Sequence, residues 1–504
     1  MKRKILCALL AATMAVSMTA CGGGNAGGGS GTPGASDAAD AELTDDNITL
    51  KYWHYEDQEL IEMMAEGFMK EHPNITVEVR RIDDMSTDLS AAAAAQDFPD
   101  VFQGTDSDTA LANFYWRDIS EYYDADPETK NLMSSINTDG IGCFATSARF
   151  AVPGYYQPNA FYIDRNVVNK LNLTMPSSDW TWNEMIDLVK AATVDDRSGM
   201  KYYGMSCSEV RLDSVYHNLP MKVKGEFGFD GKTFDLTDWA AVEQEQADLK
   251  VGGYVCPAPD TQEMEDWSGD WGTWYGATGH VAVFSSTLQM YLTYWGSEGY
   301  QEAIGTDIVP MPMPKRDEDT FHTMATMYMA GVSSSCKYPH EAYELLKWMT
   351  YGKDGWMYRL NNIYSDKSLT NSAGIPYINA YTIAPITEDT EVWDKYKALI
   401  TEGMDDDHKA YWDAYFDSIH YPTCGGWISI AGYWNFCDQY FNNIGIHDIV
   451  DKGLGKAADY VEEANRQANY YHAEAMLNYF GSDGYDVLSE EEINEYQAII
   501  DQGL

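Results

Sequence analysis

The segment Arg149–Asn169, RFAVPGYYQPNAFYIDRNVVN, decides the fold. Two apolar runs within it, Phe150–Val152 and Ala160–Ile163, predict extended backbone. A Pro-Gly pair separates the runs and predicts a turn or bend between two extended pieces, because these residues interrupt regular strands. Tyr155 and Tyr156 follow the break directly and are either packing residues or the wall of a cleft. If two lobes meet here, a hinge and a ligand site coincide, because ligand sites favour domain interfaces.

The size and charge of the chain limit its architecture and partners. Its 504 residues are too many for one ordinary core, so we expect at least two domains. The formal net charge of -46 repels nucleic acid and anionic lipid headgroups, and we predict that neither is a partner. The 15 Trp and 36 Tyr residues suit a neutral ligand such as a sugar, which presents apolar ring faces and hydroxyl groups.

The N-terminus has the pattern of a lipoprotein signal. A basic start and the short apolar run Ile5–Val16 predict a signal peptide over residues 1–20. The residues Ser17-Met18-Thr19-Ala20-Cys21 resemble a bacterial lipobox, which predicts diacylglycerol on the Cys21 sulfur; the alternative is a plain secretory signal with a chance cysteine. Residues 21–47 are Gly/Ser-rich and predict a flexible tether. We therefore expect a lipoprotein on the extracellular face of the bacterial cell membrane.

The body after the tether alternates strand and helix patterns. Ile48–Tyr52 alternates as a strand, a helix follows until Pro73, and Ile75–Val79 alternates again. A helix around Leu89–Ala95 and a strand at Asp100–Phe102 repeat the unit, so the sequence predicts an α/β sheet. Ligands lie beyond the carboxyl ends of strands in such sheets, so the loops 53–57 and 103–106 are candidates for contact.

Later segments give the same alternation with irregular interruptions. Thr181 and Glu184 form a capping-box pattern before an amphipathic helix. The sequence also predicts strands at His280–Ser285 and Met324–Val332, a helix from Pro339 and a mostly helical tail from Lys395.

The order of these signals resembles the extracellular solute-binding proteins of carbohydrate ABC importers, the group that includes maltose-binding-type proteins. The resemblance spans most of the mature chain and rests on motifs in a fixed order: the lipobox and tether, the strand ending at Trp53, Pro73–Val77, Pro99–Phe102, Val152-Pro153 with Phe161–Ile163, Trp180–Glu184, Ala330–Val332 and His340–Met349. Tyr162-Ile163-Asp164 departs from the Tyr-Asn that the family usually carries at that point.

The resemblance implies an α/β, two-lobed periplasmic-binding-protein-like fold with a ligand cleft between lobes joined by crossing strands. We assign 48–155 and 312–360 to lobe 1, and 156–311 and 361–504, with extra C-terminal helices, to lobe 2. The implied function is capture of a sugar or oligosaccharide and delivery to the permease subunits of an ABC transporter, by a monomer that is not an enzyme and needs no cofactor.

Candidate ligand contacts follow from strand ends, aromatic clusters and the resemblance. Core packing is the alternative for each aromatic residue, and a solvated acidic loop is the alternative for Asp106. The family often places contacts where Ser285 lies, and Trp427 could reach the cleft from the tail. The predicted ligand-binding residues are Trp53, His54, Asp106, Tyr155, Tyr156, Trp267, Asp270, Trp271, Trp274, Ser285 and Trp427.

Other functions stay open at this point. A secreted glycoside hydrolase would need a suitably spaced carboxylate pair, which 79 acidic residues could supply by chance. A charged cleft would instead favour a peptide or other polar solute. The His residues form no HxxH or HExxH pattern, so we predict no metal site. Cys424 and Cys437 could form a disulfide or remain buried thiols.

Overall fold

The computed structural model describes most of the chain after the tether. The described residues are 42–104, 107–133, 148–195, 199–206, 229, 232–271, 275–295, 301, 304–315, 323–380, 382–419, 423–425 and 430–504. They form helices and nine strands, so the α/β class that the sequence predicts is confirmed.

The N-terminal strand–helix–strand unit folds as predicted. β1 (Ile48–His54) pairs in parallel with β2 (Ile75–Arg81), and α1 (Gln58–Glu71) connects them. Asp57 caps α1 by accepting a hydrogen bond from the backbone N–H of Leu60 at 3.1 Å. Leu60, Met64 and Phe68 recur at helical spacing and are buried, which fixes α1 against the sheet.

The nine strands form one connected sheet in the order β2-β1-β3-β8-β4-β6-β5, with β7 paired to β4 and β9 paired to β8. The remaining strands are β3 (Val101–Gly104), β4 (Val152–Asp164), β5 (Tyr203–Met205), β6 (Val281–Thr287), β7 (Ile308–Met311), β8 (Thr323–Val332) and β9 (Thr423–Gly425). β1 pairs in parallel with β3, while β8 is antiparallel to both β3 and β4.

Within the Arg149–Asn169 segment, β4 is one continuous strand that pairs with both halves of the sheet. The N-terminal half of β4 pairs with β8, and its C-terminal half pairs with β6 and β7. Of the two predicted interruptions, a turn or a bend, the structure shows the bend. The register shifts between Pro153 and Tyr155, so the Pro-Gly pair produces a β-bulge and the strand continues. A Cβ on Gly154 would lie 2.8 Å from the Cβ of Ala330, so close strand packing explains the glycine.

The half of the sheet around β6 has its own apolar core. Thr181 and Glu184 form the predicted capping box at the start of α6 (Trp182–Ala192). Met185 and Val189 of this helix pack with Phe161 of β4 and with neighbouring buried residues. The indole N–H of Trp180 donates to the carbonyl of Pro312 at 2.8 Å, which ties the start of the helix to the segment after β7.

The C-terminal helices pack against both halves of the sheet. The Tyr291 ring lies 5.5 Å from that of Trp412. Phe150, just before β4, contacts Tyr485 at 4.3 Å between ring centroids, and the Tyr485 hydroxyl donates to the carbonyl of Trp116 at 2.6 Å. The tail therefore contacts residues of both halves of the sheet.

The other helices run in chain order between and after the strands. They are α2 (Met85–Ala95), α3 (Ser107–Ala112), α4 (Ser120–Ala125), α5 (Arg165–Lys170), α7 (Thr237–Val251), α8 (Gln262–Ser268), α9 (Leu288–Met290), α10 (Pro339–Met349), α11 (Lys353–Tyr358), α12 (Tyr377–Ala380), α13 (Thr390–Ile400), α14 (Asp406–Ser418), α15 (Tyr433–Phe436), α16 (Ile446–Asp451), α17 (Val461–Phe480) and α18 (Glu490–Ile500). Short 3-10 turns lie at Pro127–Asn131, Tyr275–Thr278 and Ala457–Tyr460, and π-helical turns at Tyr291–Trp295, Arg359–Tyr364 and Cys437–Asn442.

Candidate functional site

Three tyrosines meet where β4 and β8 cross the molecule. Tyr155 of β4 pairs with Tyr328 of β8 in the strand register, and their rings stack at 4.6 Å with an interplanar angle of 10°. Tyr55, in the loop after β1, tilts against Tyr328 at 5.7 Å. All three side chains are half-buried. We call Tyr55, Tyr155 and Tyr328 the tyrosine stack.

Two glutamine amides border the tyrosine stack. Gln289 of α9 accepts hydrogen bonds on its Oε1 atom from the Tyr155 hydroxyl at 3.2 Å and from Gln157 Nε2 at 2.6 Å. Its own Nε2 donates to the carbonyl of Ala380 at 2.8 Å. Because α9 follows β6 directly, these bonds join three parts of the chain: β4, the end of β6 and the helix Tyr377–Ala380. The result is a neutral surface of aromatic faces, amides and hydroxyls.

A buried ion pair fixes the loop that carries Tyr55. Glu56 Oε2 lies 3.2 Å from Nη1 of Arg359, and the side chains are 1% and 2% exposed. The Arg359 Nη1 also lies 3.4 Å from the Tyr364 hydroxyl. Burial raises the pKa of Glu56 above its ordinary value, and the Arg359 charge opposes that rise. The carboxylate is therefore already paired within the protein.

The Tyr155 and Tyr328 phenols of the tyrosine stack stay protonated, and therefore uncharged, at neutral pH. Burial raises the pKa of Tyr155 well above its usual value, and Tyr328 shifts in the same direction for the same reason. Both phenols stay neutral hydrogen-bonding groups under physiological conditions.

Trp53 and His54 end β1, as the sequence predicts, and the structure buries both. Trp53 is 5% exposed, and the Arg80 guanidinium lies over its ring at 4.2 Å. His54 is 0% exposed and stacks on Tyr52 at 5.8 Å. Burial, with help from Arg81, lowers the pKa of His54 to about 3, so its imidazole is neutral. These two residues therefore belong to the buried interior at the end of β1, directly before the Tyr55 loop.

Tyr156 and Ser285 also have buried positions. Tyr156 is 0% exposed on the opposite side of β4 from Tyr155, because successive strand residues point to opposite faces. Its hydroxyl donates to the carbonyl of Ile419 at 3.5 Å. Ser285 is 2% exposed and pairs with Phe161 in the β4–β6 register.

The Trp-rich segment lies elsewhere on the molecule. The Trp267 indole N–H donates to the carbonyl of Lys201 at 2.9 Å, and its ring meets that of Tyr203 edge-on at 5.1 Å. Tyr203 pairs with Val281 at the start of β6, whereas the other end of β6 pairs with Asn159 near the crossing. Along this register, Val281 is about ten strand positions from the level of Tyr155, which corresponds to about 33 Å of strand length.

Asp270 and Trp271 follow Trp267 on the surface. Both side chains are exposed, and 46% of Trp271 is accessible. The backbone carbonyl of Trp271 accepts a hydrogen bond from the N–H of Asp260 at 3.0 Å, which anchors this segment to the loop before α8. Asp106, Trp274, Trp427 and Cys21 lie outside the described residues.

Sequence reasoning missed most of the residues that the structure brings together. Tyr55 lies in the candidate loop 53–57, but the contacts predicted there are Trp53 and His54. Gln157 lies in the opening segment and Gln289 just after a predicted strand. Tyr328 is one of several residues of a predicted strand, and no sequence pattern distinguishes it. The signal that unites them is the strand register, which exists only in three dimensions.

One cluster of possible metal ligands occurs in the described part of the chain. Asp405, Asp407 and His408 bring carboxylate and imidazole atoms within 4.8 Å of one another. The structure uses these groups for ion pairs instead: Arg165 binds Asp407, and His408 Nε2 lies 3.2 Å from Asp307. A cation at this place would compete with the Arg165 guanidinium. The described helices include none with the length and apolar character needed to span a bilayer.

Comparison with known families decides the classification. The family model described as bacterial extracellular solute-binding protein matches residues 53–350. The chain belongs to this family. The family predicted from the sequence is therefore confirmed, and its members are binding proteins that act outside the cytoplasm. A search of curated protein sequences finds no significant match.

Solved structures of similar shape confirm the two-lobed fold of this solute-binding protein. The sugar-binding protein MalE from Xanthomonas citri aligns with a TM-score of 0.59 and 15% identity, over 84% of this chain and 98% of that one. An ABC substrate-binding protein from Listeria monocytogenes in complex with cycloalternan gives 0.58 and 16%, over 84% and 98%. A cyclic alpha-maltosyl-1,6-maltose binding protein from Arthrobacter globiformis gives 0.57 and 13%, over 84% and 98%. At these identities the similarity concerns the fold.

Proposed function

We propose that this solute-binding protein captures a neutral sugar or oligosaccharide at the tyrosine stack and delivers it to the permease of an ABC importer. The observation that carries the proposal is the half-buried Tyr155–Tyr328 pair on the two strands that cross the molecule. Aromatic faces cover the apolar faces of sugar rings, and amides and hydroxyls bind the hydroxyl groups. The sugar ligands of the structural neighbours point to the same class.

The charge distribution supports a neutral ligand. Glu56, which follows Tyr55 in the same loop, is already paired with Arg359, and the glutamines are uncharged. A net charge of -46 also disfavours anionic solutes at long range. We therefore place the ligand contacts at Tyr55, Tyr155, Tyr328, Gln157 and Gln289, and leave the buried Tyr156, His54 and Trp53 as supporting residues.

The crossing strands also suggest how the lobes divide. We propose that lobe 1 is built from 48–155 and 312–360, and lobe 2 from 156–311 and much of 361–504, with β4 and β8 as the crossings. The contact of Tyr485 with Trp116 indicates that the last helices also touch lobe 1. Closure of the lobes over the ligand would bring β6 and the Tyr55 loop together.

The protein is proposed to act without turnover and from a membrane anchor. Lipid on Cys21 would hold it on the extracellular side of the cell membrane. Replacement of Cys21 by Ala is expected to move the protein from the membrane fraction to the soluble fraction. Continued incorporation of labelled fatty acid into the Cys21→Ala variant would contradict the anchor.

The function is tested by calorimetric titration of the full chain with maltose, maltotriose and cyclic maltooligosaccharides. We expect saturable binding of at least one neutral saccharide and no release of reducing sugar after prolonged incubation. A ligand raises the melting temperature by mass action, which gives an independent measure. Measured hydrolysis that disappears on changing one carboxylate would replace this proposal by a glycosidase.

A further inference from the structure

A pocket lies at the end of β1 that is opposite to the Tyr55 loop. It encloses about 700 Å³, within the range of small-ligand sites. Thr49 and Lys51, at the start of β1, form one wall, and the segments before β3 and after β8 form others. Tyr55 lies beyond the opposite end of β1. The pocket is therefore distinct from the proposed cleft, and we call it the distal pocket.

The lining of the distal pocket combines aromatic rings with uncharged polar groups. Phe98, Phe114, Tyr115 and Tyr338 supply rings, and the rings of Phe98 and Tyr115 pack at 4.8 Å. The uncharged polar side chains are the amides and hydroxyls of Thr49, Gln96, Asn113, Ser334 and Ser335. This composition is suited to a ring-shaped ligand with several hydroxyl groups.

The charges of the distal pocket nearly cancel. Lys51 pairs with Asp97, and the backbone N–H of Lys51 donates to Asp100 Oδ2 at 2.9 Å. Within the described part of the chain, no carboxylate lies within ion-pair distance of the Lys337 ammonium, which leaves it as a hydrogen-bond donor at the rim. The large negative charge of the whole protein opposes an anionic ligand, whereas a neutral one meets no such repulsion.

Phe114 breaks a local rule at the mouth of this pocket. The N–H of Tyr115 donates to the carbonyl of Ala110 at 2.9 Å, and the N–H of Phe114 donates to that of Leu111 at 3.0 Å. This is a Schellman ending of α3, in which the residue at the Phe114 position has left-handed backbone and is usually glycine. Phe114 has φ of 55° and a side chain that is 39% exposed.

The choice of phenylalanine at this turn calls for a reason. The other described non-glycine residues with positive φ are polar: Gln96, Asn172, Asp260 and Asp486. The Phe114 ring meets Tyr485 edge-on at 5.1 Å but keeps an exposed face beside the pocket. A residue that violates a backbone preference and exposes an aromatic face at a pocket mouth is a candidate ligand contact.

The geometry points to the distal pocket as a second binding site, independent of the cleft, for a small neutral saccharide that stacks on Phe114. A site at the far end of the first lobe could hold a sugar while the cleft is open or closed. The chemistry is that of the lining residues alone, so the site does not require the tyrosine stack to bind the transported ligand.

The test uses the full chain with its cleft disabled by the double change Tyr155→Ala and Tyr328→Ala. Saturation-transfer NMR with glucose, N-acetylglucosamine and maltose at millimolar concentration should show a remaining saccharide signal. Adding Phe114→Asn should reduce that signal about tenfold, because the stacking face is lost. Asn tolerates left-handed backbone, so the unfolding temperature should not fall enough to explain the loss.

Each outcome decides the proposal. An unchanged signal after Phe114→Asn, or no signal from any of the three sugars in the cleft-disabled chain, overturns the second site. Binding of glucuronate in place of the neutral sugars would show that Lys51 and Lys337 make an anion site, which also contradicts it. The proposed transport function is tested separately: the unmodified chain should bind a saccharide tightly, and the Tyr155→Ala and Tyr328→Ala changes should abolish that tight binding.

Discussion

The tyrosine stack and the Trp267–Trp271 segment are both rich in aromatic residues, but they differ in how the chain assembles them. The tryptophans of the segment lie close together in the sequence. In the structure, Trp267 contacts Lys201 and Tyr203 near the start of β6, and Trp271 is on the surface. The stack gathers residues from positions 55, 155 and 328 by strand pairing. The difference teaches that register, more than local composition, selects the aromatic residues that share a site.

The largest expected effect concerns the support beneath the stack. Burial lowers the pKa of His54 to about 3, so between about pH 3 and pH 6.5 this imidazole is protonated in the unfolded chain and neutral in the folded chain. The resulting stability is present above pH 6.5 and is lost as the pH falls towards 3, by up to about 5 kcal/mol. His54→Leu should flatten the dependence of the unfolding free energy on pH in this range.

His72 provides the matched control for that measurement. Its imidazole is half-buried at the end of α1, and burial lowers its pKa as well. His72→Leu should flatten the pH dependence less than His54→Leu in the same denaturant titrations. Equal effects of the two changes would show that the end of β1 has no special role.

The Glu56–Arg359 pair gives the next largest effect. Arg359→Met leaves the Glu56 carboxylate buried without its partner and should lower the unfolding free energy by about 3–5 kcal/mol. Lys353→Met, which breaks the pairs of an exposed lysine with Asp389 and Glu391, should lower the unfolding free energy much less. Similar costs in chemical denaturation would mean that Glu56 reaches solvent.

Saccharide binding should separate the two aromatic regions directly. Tyr328→Ala removes a stacked ring and should weaken binding about tenfold to a hundredfold in calorimetry. Tyr203→Ala removes the ring that meets Trp267 and should leave the dissociation constant within about twofold. If the Tyr203 change abolishes binding and the Tyr328 change does not, the ligand lies on the Trp-rich side.

The smallest expected effects come from the segment itself. Trp267→Phe loses the hydrogen bond to the Lys201 carbonyl and should cost about 1 kcal/mol of stability with normal binding. Trp271→Ala removes an exposed ring and should change stability by less than about 0.5 kcal/mol. Melting curves and calorimetric titrations of both variants measure these effects. If folded Trp271→Ala no longer binds the saccharide, Trp271 is a ligand contact.

Much of the fold was predictable because it follows local patterns. Alternation over Ile48–Tyr52 and Ile75–Val79 corresponds to β1 and β2, and the predicted capping box at Thr181 is present. The sequence predicts an interruption at Pro153 but leaves a turn and a bend open, because a bulge and a turn share the same residues and differ only in whether a neighbouring strand continues the pairing.

The amino-acid sequence by itself determined the family, the α/β alternation and the placement of helix starts, because each depends on residues close together in the chain. Its abundant aromatic residues and strong negative charge also favour a neutral ligand. Tertiary structure alone decided which tyrosines face one another and which tryptophans are remote. The reason is physical. Tyr155 and Tyr328 are 173 positions apart in the sequence and meet only when the register of β4 and β8 is set, and long-range pairing and burial fix that register.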